Sequence, residues 1–292
     1  MSAVFFLSPL AADAPEPEGG FAQTVRPAAE AVVSLRDAGI VRGDGIFETF
    51  GVVNRSIQAE TAHLNRLARS ARLLDLPAPH LDQWRAALAI AADTLPETGT
   101  GSLRLSLTRG VPGEGPSAWL AADETPADLP ERHSGLAVVS LERGLSVHAS
   151  ERTPWLLAGA KTLSYAINMA ALREAASRGA DDVLFISTEG LALEGPTSSL
   201  LVYTDGEFVS PPRDEAILAG TTVDAAFEWL RTQGYTCVYR QIPAVSLGSV
   251  DGAWLLSSVR MAAPIRTLDG QPVTQQPELN ESLVHALLAR TH

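Results

Sequence analysis

Short apolar runs broken by turn residues constrain this chain more than any other feature. In the second half, Gly135–Leu141, Val183–Ser187, Leu191–Glu194, Ser199–Thr204, Glu207–Val209 and Gly252–Leu256 have strand length rather than helix length. Thr188-Glu189-Gly190 and Asp205-Gly206 separate two of the pairs, and both are hairpin signals. Helical periodicity is interleaved with them. Tyr165–Arg178 reads as a helix closed by Gly179 as C-cap, and Thr222–Gln233 as another, ahead of a strand near Tyr235–Arg240. The first half carries the same mixture. A turn at Arg42-Gly43-Asp44-Gly45 leads into a strand over Ile46–Val53. Leu64, Leu67, Ala71 and Leu74 recur at helical spacing in Thr61–Leu74, and a second helix runs over about Leu81–Thr94. Leu103–Leu107 and Ala118–Ala122 read as strands on either side of a turn at Gly110–Pro116. Hairpins mixed with helices predict an α+β or mixed α/β fold.

Residues 11–30, rich in Ala, Pro, Glu and Gly, read as a loop or loose edge segment, with regular structure beginning at Val32. Thr125–Ser134, with two prolines and several acids, is the candidate linker. It divides the chain into a smaller N-terminal α/β domain, 1–126, and a larger C-terminal domain, 127–292.

Composition excludes several classes of function. The net charge of −12 disfavours nucleic acid as the main partner, because phosphates would be repelled. One cysteine, Cys237, forbids an internal disulfide framework, and six scattered histidines with no His-x-x-x-His pair argue against a zinc site. No apolar run reaches membrane-spanning length, and Met1–Leu10 has neither a basic leader nor a cleavage site, so a cytoplasmic protein is expected.

Lys161 is the only lysine among 22 basic residues. Arginine replaces lysine as a surface cation but not as an amine nucleophile, since a guanidinium stays protonated. Lys161 ends the apolar run Trp155-Leu156-Leu157-Ala158-Gly159-Ala160 and precedes a helix, which predicts a partly buried stem and a lowered amine pKa. Glu194 follows at the end of a hairpin strand, before Gly195-Pro196-Thr197-Ser198. Gly220-Thr221-Thr222 opens a helix, whose N–H groups and dipole suit a phosphate. Arg66 on the first helix can add a cation, and Ser257-Ser258 after an apolar strand can add hydroxyls. Taken singly, each has an ordinary reading: surface lysine, solvated carboxylate, plain helix cap, solvated helix face, turn serines.

Their order resembles the class IV enzymes of pyridoxal 5′-phosphate (PLP), the fold-type IV family. It includes branched-chain and D-amino acid aminotransferases and 4-amino-4-deoxychorismate lyases. Arg42-Gly43-Asp44-Gly45-Ile46-Phe47-Glu48-Thr49 is similar to the early Gly-Asp-Gly-x-Phe-Glu segment, and His63-Leu64-Asn65-Arg66-Leu67 to its His-x-x-Arg-Leu helix. Lys161-Thr162-Leu163-Ser164-Tyr165 with Asn168 resembles the Schiff-base segment. Gly190 to Glu194-Gly195, Leu218-Ala219-Gly220-Thr221-Thr222 and Leu256-Ser257-Ser258 to Pro264 resemble the carboxylate stretch, the phosphate cup and a late Ser/Thr-rich segment. The resemblance implies two domains with the cofactor at their interface, the larger one binding PLP, and a homodimer. It implies Lys161 as catalytic amine, and Arg66, Lys161, Glu194, Tyr165, Ser199, Gly220, Thr221, Thr222 and Ser258 around the cofactor. It implies Arg109, Arg104, Phe47 and Val259 around the substrate, and no metal. Two departures stand out. Thr197-Ser198-Ser199 replaces a Thr-Ser-Asn, and Phe47 stands where some D-amino acid aminotransferases carry a tyrosine, which counts against that branch.

Lyase-like members are the most similar in wording. The resemblance therefore implies conversion of 4-amino-4-deoxychorismate to 4-aminobenzoate and pyruvate, a step of folate precursor synthesis. An aminotransferase of branched-chain or D-amino acids is the first alternative. A non-catalytic relative that only binds is the second, and it would be expected to lack the lysine or the carboxylate; both are present.

Overall fold

The computed structural model describes residues 3–28 and 32–290, so residues 29 and 30 of the expected loose segment lie outside the described residues. The chain splits into two compact units. One comprises the chain up to Ala127 with Ala160–Tyr165 and Arg290; the other comprises Asp128–Gly159 and Ala166–Ala289.

The first unit is built on a sheet of β1 (Ala3–Leu7), β2 (Val25–Pro27), β3 (Gly45–Val53), β4 (Ser56–Ile57), β5 (Thr100–Val111) and β6 (Gly115–Thr125). Their order is β2-β1-β6-β5-β3-β4, with every pairing antiparallel. Helices α1 (Ala38–Arg42), α2 (Glu60–Leu73) and α3 (Leu81–Ala92) complete it. Period-two alternation along β3 sends Ile46, Glu48 and Phe50 to one face and Phe47 and Thr49 to the other. On α2, Leu64, Leu67 and Ala71 are fully buried, as their helical spacing requires. Each buried leucine contributes roughly 2 kcal/mol.

Three local expectations change. Regular structure starts at Ala3 rather than Val32, because β1 completes the β6 edge with Phe5 and Leu7 buried. The Arg42 turn is preceded by α1, which Asp37 caps by accepting from the Gly39 amide at 2.8 Å. Strands β5 and β6 extend almost to each other, so the turn is shorter than Gly110–Pro116.

The second unit contains α4 (Glu131–Ser134), β7 (Leu136–Glu142), α5 (Ala149–Arg152), α6 (Ala166–Ser177) and β8 (Asp182–Ile186). It continues with β9 (Ser199–Thr204), β10 (Glu207–Ser210), α7 (Thr221–Thr232), β11 (Thr236–Tyr239), β12 (Gly252–Ser257), β13 (Met261–Leu268), β14 (Gln271–Pro272) and α8 (Pro277–Ala289). The sheet order is β11-β10-β9-β12-β13-β7-β8, with β14 on β13. Alternation splits its faces: Leu200, Val202, Ala253 and Leu255 join one core, and Leu201, Trp254 and Leu256 join the other under α7 and α8. Strand β13 and helix α8 are absent from the sequence reading, and α4 lies inside the expected linker. No helix among the described residues is long and apolar enough to cross a membrane.

Candidate active site

In the first unit the Lys161 segment lies against β3. The Phe47 amide donates to the Lys161 carbonyl at 3.0 Å, and the Leu163 amide donates to the Gly45 carbonyl at 2.8 Å. Ile46 and Thr162 form an antiparallel bridge, and the Lys161 amide donates to Ser70 Oγ at 3.2 Å. Lys161 is half-buried, and its Nζ stands 4.6 Å from the centre of the Phe47 ring. The Arg104 guanidinium carbon lies 4.2 Å from the same ring, and Tyr165 meets that ring edge-on at 5.2 Å. Thr49 pairs with Arg104 and Phe47 with Ser106 across β3 and β5, which explains why a cation on β5 reaches the Phe47 face. One ring thus gathers an amine, a guanidinium and a phenol.

The opposite face of β3 carries a buried polar cluster. Glu48 accepts from Arg66 Nε and Nη2, both at 2.7 Å, and from His63 Nδ1 at 2.7 Å. Burial alone would raise the Glu48 carboxyl, but Arg66 and His63 together hold it well below the usual carboxylate range. Burial lowers His63 to about 4 against the pull of Glu48, so the imidazole is neutral at pH 7. Glu48 can only accept, so the ring proton sits on Nδ1. The Nε–Nη2 edge of Arg66 is taken by Glu48 in a bidentate pair.

Arg109, expected at the substrate carboxylate, makes four local hydrogen bonds. Nε and Nη2 donate to Asp44 at 2.7 and 3.2 Å, Nη2 to the Leu74 carbonyl at 2.7 Å and Nη1 to the Asp75 carbonyl at 3.0 Å. The hydrogen bonds to Asp44 raise its pKa further. This arginine clamps β5 to the turn before β3 and to the end of α2, whose last carbonyls it satisfies. Arg104, by contrast, lies over the Phe47 ring and makes no such set of hydrogen bonds among the described residues.

In the second unit Glu194 ends the β8 hairpin. Phe185 donates to the Glu194 carbonyl at 2.9 Å, and Glu194 Oε2 accepts from the Leu218 amide at 3.1 Å. That contact ties the carboxylate to the segment leading into α7. Helix α7 begins at Thr221 with Gly220 as N-cap and no side-chain cap; Thr221 and Thr222 are both buried. A Cβ at Gly220 would press into Ser199 Oγ and lie 3.1 Å from its Cβ, so the backbone can approach Ser199 only as glycine. Ser257 ends β12, and Ser258, Val259 and Arg260 form the half-buried turn into β13. Arg132, itself buried, donates to the carbonyls of Val259 and Arg260, each at 2.9 Å. Arg260 in turn reaches Asp182 at 2.7 Å.

Neither Arg132 nor Ser70 was marked by the sequence. Arg132 sat in a segment read as linker, and Ser70 is one serine on a helix. Glu48 and His63 stood inside the matched motifs, but their pairing needed β3 and α2 side by side.

The donor chemistry fits PLP. A half-buried primary amine, a helix N-terminus without a side-chain cap at a glycine too crowded for any Cβ, two buried threonines and a carboxylate held by a backbone amide are the groups that a phosphorylated pyridine aldehyde requires. Among the described residues no cluster of His, Cys, Asp and Glu could hold a metal ion.

A family profile described as amino-transferase class IV matches residues 45–268. The chain is 43% identical over 268 residues to a bifunctional aminodeoxychorismate lyase / D-amino acid transaminase of Mycobacterium tuberculosis, covering 86% of this chain and 92% of the relative. It is similar to a solved fold IV transaminase from Curtobacterium pusillum, with 44% identity, full coverage of both chains and a TM-score of 0.91. It is also similar to a hypothetical aminotransferase from Mycobacterium tuberculosis solved in a PLP-bound form, with 38% identity, a TM-score of 0.87 and coverage of 98% and 99%.

Proposed function

The chain belongs to the amino-transferase class IV family and uses PLP; from that premise we propose that it is an aminodeoxychorismate lyase, releasing pyruvate from 4-amino-4-deoxychorismate to leave 4-aminobenzoate. The observation that carries an amino acid substrate is the Phe47 ring flanked by Lys161 Nζ and the Arg104 guanidinium. The name of the mycobacterial relative supports the lyase chemistry.

PLP, when bound, supplies an aldehyde carbon for the substrate amine and a ring that accepts the electrons of the broken bond. The protein does the rest. Lys161 would hold the cofactor, and its Nζ then takes the proton from the substrate carbon that bears the amine. Glu194 would keep the pyridine nitrogen protonated, with its own Oε2 oriented by Leu218. Arg66, Gly220, Thr221, Thr222 and Ser258 would bind the phosphate, with Tyr165 and Ser199 beside the ring. Arg104, Phe47 and Val259 would hold the substrate. Arg104 is the better carboxylate ligand of the two candidate arginines, because Arg109 already spends its fork on Asp44 and two carbonyls.

D-Amino acid transamination is the second reading, favoured by the second half of the same relative's name. It shares the first proton transfer and differs in where Lys161 returns the proton. The test is the purified enzyme given 4-amino-4-deoxychorismate with no keto acid. Sustained pyruvate release supports the lyase, and an absolute demand for a keto acid supports the transaminase. Lys161→Ala should lower either rate by roughly 10³-fold or more. A protein that gains no visible absorbance with PLP would sink both readings.

A further inference from the structure

The hairpin turn from β12 into β13 is tighter than its sequence favours. Ser257 and Met261 are the last paired residues of the two strands, so Ser258, Val259 and Arg260 alone make the reversal. A three-residue hairpin loop commonly closes on a left-handed residue, a place that glycine takes at no steric cost. Here that residue is Met261, with φ 65° and its side chain buried in the core under α7 and α8. A bulky side chain resists this conformation, and such backbone persists only where its surroundings impose it.

Those surroundings centre on Arg132 of α4. It is 3% exposed and donates Nε to the Arg260 carbonyl and Nη2 to the Val259 carbonyl, each at 2.9 Å. One planar fork therefore fixes two successive peptide groups of the turn, a geometry that a flexible ammonium does not reproduce. The fork is itself anchored. Asn280 of α8 donates Nδ2 to the Arg132 carbonyl at 2.6 Å and accepts from Trp254 Nε1 at 3.1 Å, and Trp254 is a fully buried residue of β12. Arg260 adds its own ties: its amide donates to Ser257 Oγ at 3.3 Å and Nη1 to the buried Asp182 at 2.7 Å.

We propose that Arg132 is a positioning residue of the enzyme: it holds the strained Ser258–Arg260 turn in the form that presents Ser258 to the cofactor phosphate and Val259 to the substrate. The inference rests on the placement of Ser258 and Val259 proposed above. Without the fork, the Val259 and Arg260 carbonyls lose a charged donor beside the core. Met261 then relaxes toward the negative φ that its side chain prefers, and Ser258 moves with it.

The experiment is a double-mutant cycle of Arg132→Met with Met261→Gly, alongside Arg132→Lys and Ser258→Ala. Each holoenzyme is freed of cofactor and titrated with PLP and with pyridoxal by visible absorbance, and its urea midpoint is measured. Arg132→Met weakens PLP by roughly 10-fold and leaves pyridoxal within about 2-fold, because only the phosphate contact moves. In the Met261→Gly background the left-handed turn carries no side-chain cost, and the same substitution weakens PLP by no more than about 3-fold. Glycine at this place leaves a cavity, and comparison within each background cancels that cost. Arg132→Lys gives the same order with smaller losses and keeps the test decisive if Arg132→Met does not fold. Equal losses of PLP and pyridoxal would overturn the proposal, and so would equal losses in the two Met261 backgrounds. If Ser258→Ala leaves PLP affinity unchanged, the placement of Ser258 is what fails. The urea midpoints then decide the clamp: coupling between Arg132 and Met261 upholds it, and additivity overturns it.

Discussion

The Phe47 amide donates to the Lys161 carbonyl at 3.0 Å, so the candidate catalytic lysine is hung on β3 by its backbone. The same Phe47 presents its ring 4.6 Å from Lys161 Nζ. Main chain and side chain of one strand residue therefore set both the height and the direction of the amine, and rigid strands position such groups better than free loops.

This attachment depends on Gly45. A Cβ there would lie 2.8 Å from Leu163 Cδ1 and 2.9 Å from the Leu107 carbonyl oxygen, and the second contact is backbone that cannot rotate away. Gly45→Ala should destabilise the protein by about 1–3 kcal/mol and lower PLP affinity, measured by denaturant unfolding and absorbance titration. Unchanged values for both would mean that the Lys161 segment does not need β3.

Acid should weaken the fold through His63. Its folded pKa is about 4 against 6.5 when unfolded, so between these values the unfolded chain binds more protons. Stability is full above pH 6.5 and falls as pH drops toward 4, by up to ~1.4 kcal/mol per pH unit from this group. Below about 4.5 Glu48 adds to the loss, because its folded pKa is depressed as well. Comparing urea midpoints of wild type and His63→Gln from pH 7 to 4 checks this; parallel curves would remove His63 as the cause.

The two arginines of β5 should separate in kinetics. Arg104→Gln should raise KM for the amino acid substrate by roughly 10- to 100-fold with little change in Tm, as expected for a lost charge-assisted contact. Arg109→Gln should lower Tm instead, because Asp44, Leu74 and Asp75 lose their donor. The reverse pattern would return the substrate carboxylate to Arg109.

Gly220→Ala should weaken PLP binding by pushing Ser199 away from the start of α7. Adding Ser199→Gly removes both contacting atoms and should restore part of the affinity, a coupling that independent sites would not show. Absorbance titration of the single and double variants reads it directly. Additive losses would refute the crowding.

Helix α2, strand β3 and the β9–β10 hairpin were legible in the sequence because each is specified by local period and turn chemistry. Strand β13 was not. Its run Met261-Ala262-Ala263-Pro264-Ile265 carries a proline and no alternation, and it is buried from both sides between β12 and β7. Helix α8 was missed because its apolar face, Leu283, Val284 and Leu287, makes sense only against α7 and β13.

By itself the sequence determined the chemistry available: one amine at position 161, a carboxylate at 194, and a glycine followed by two threonines at a helix start. Residue type and local order decide those, and no fold is needed to read them. Which strand holds the amine and which arginine is spent on Asp44 were decided only by tertiary structure. Those facts depend on contacts between residues far apart in the chain, and charge pairing and burial are properties of position in space.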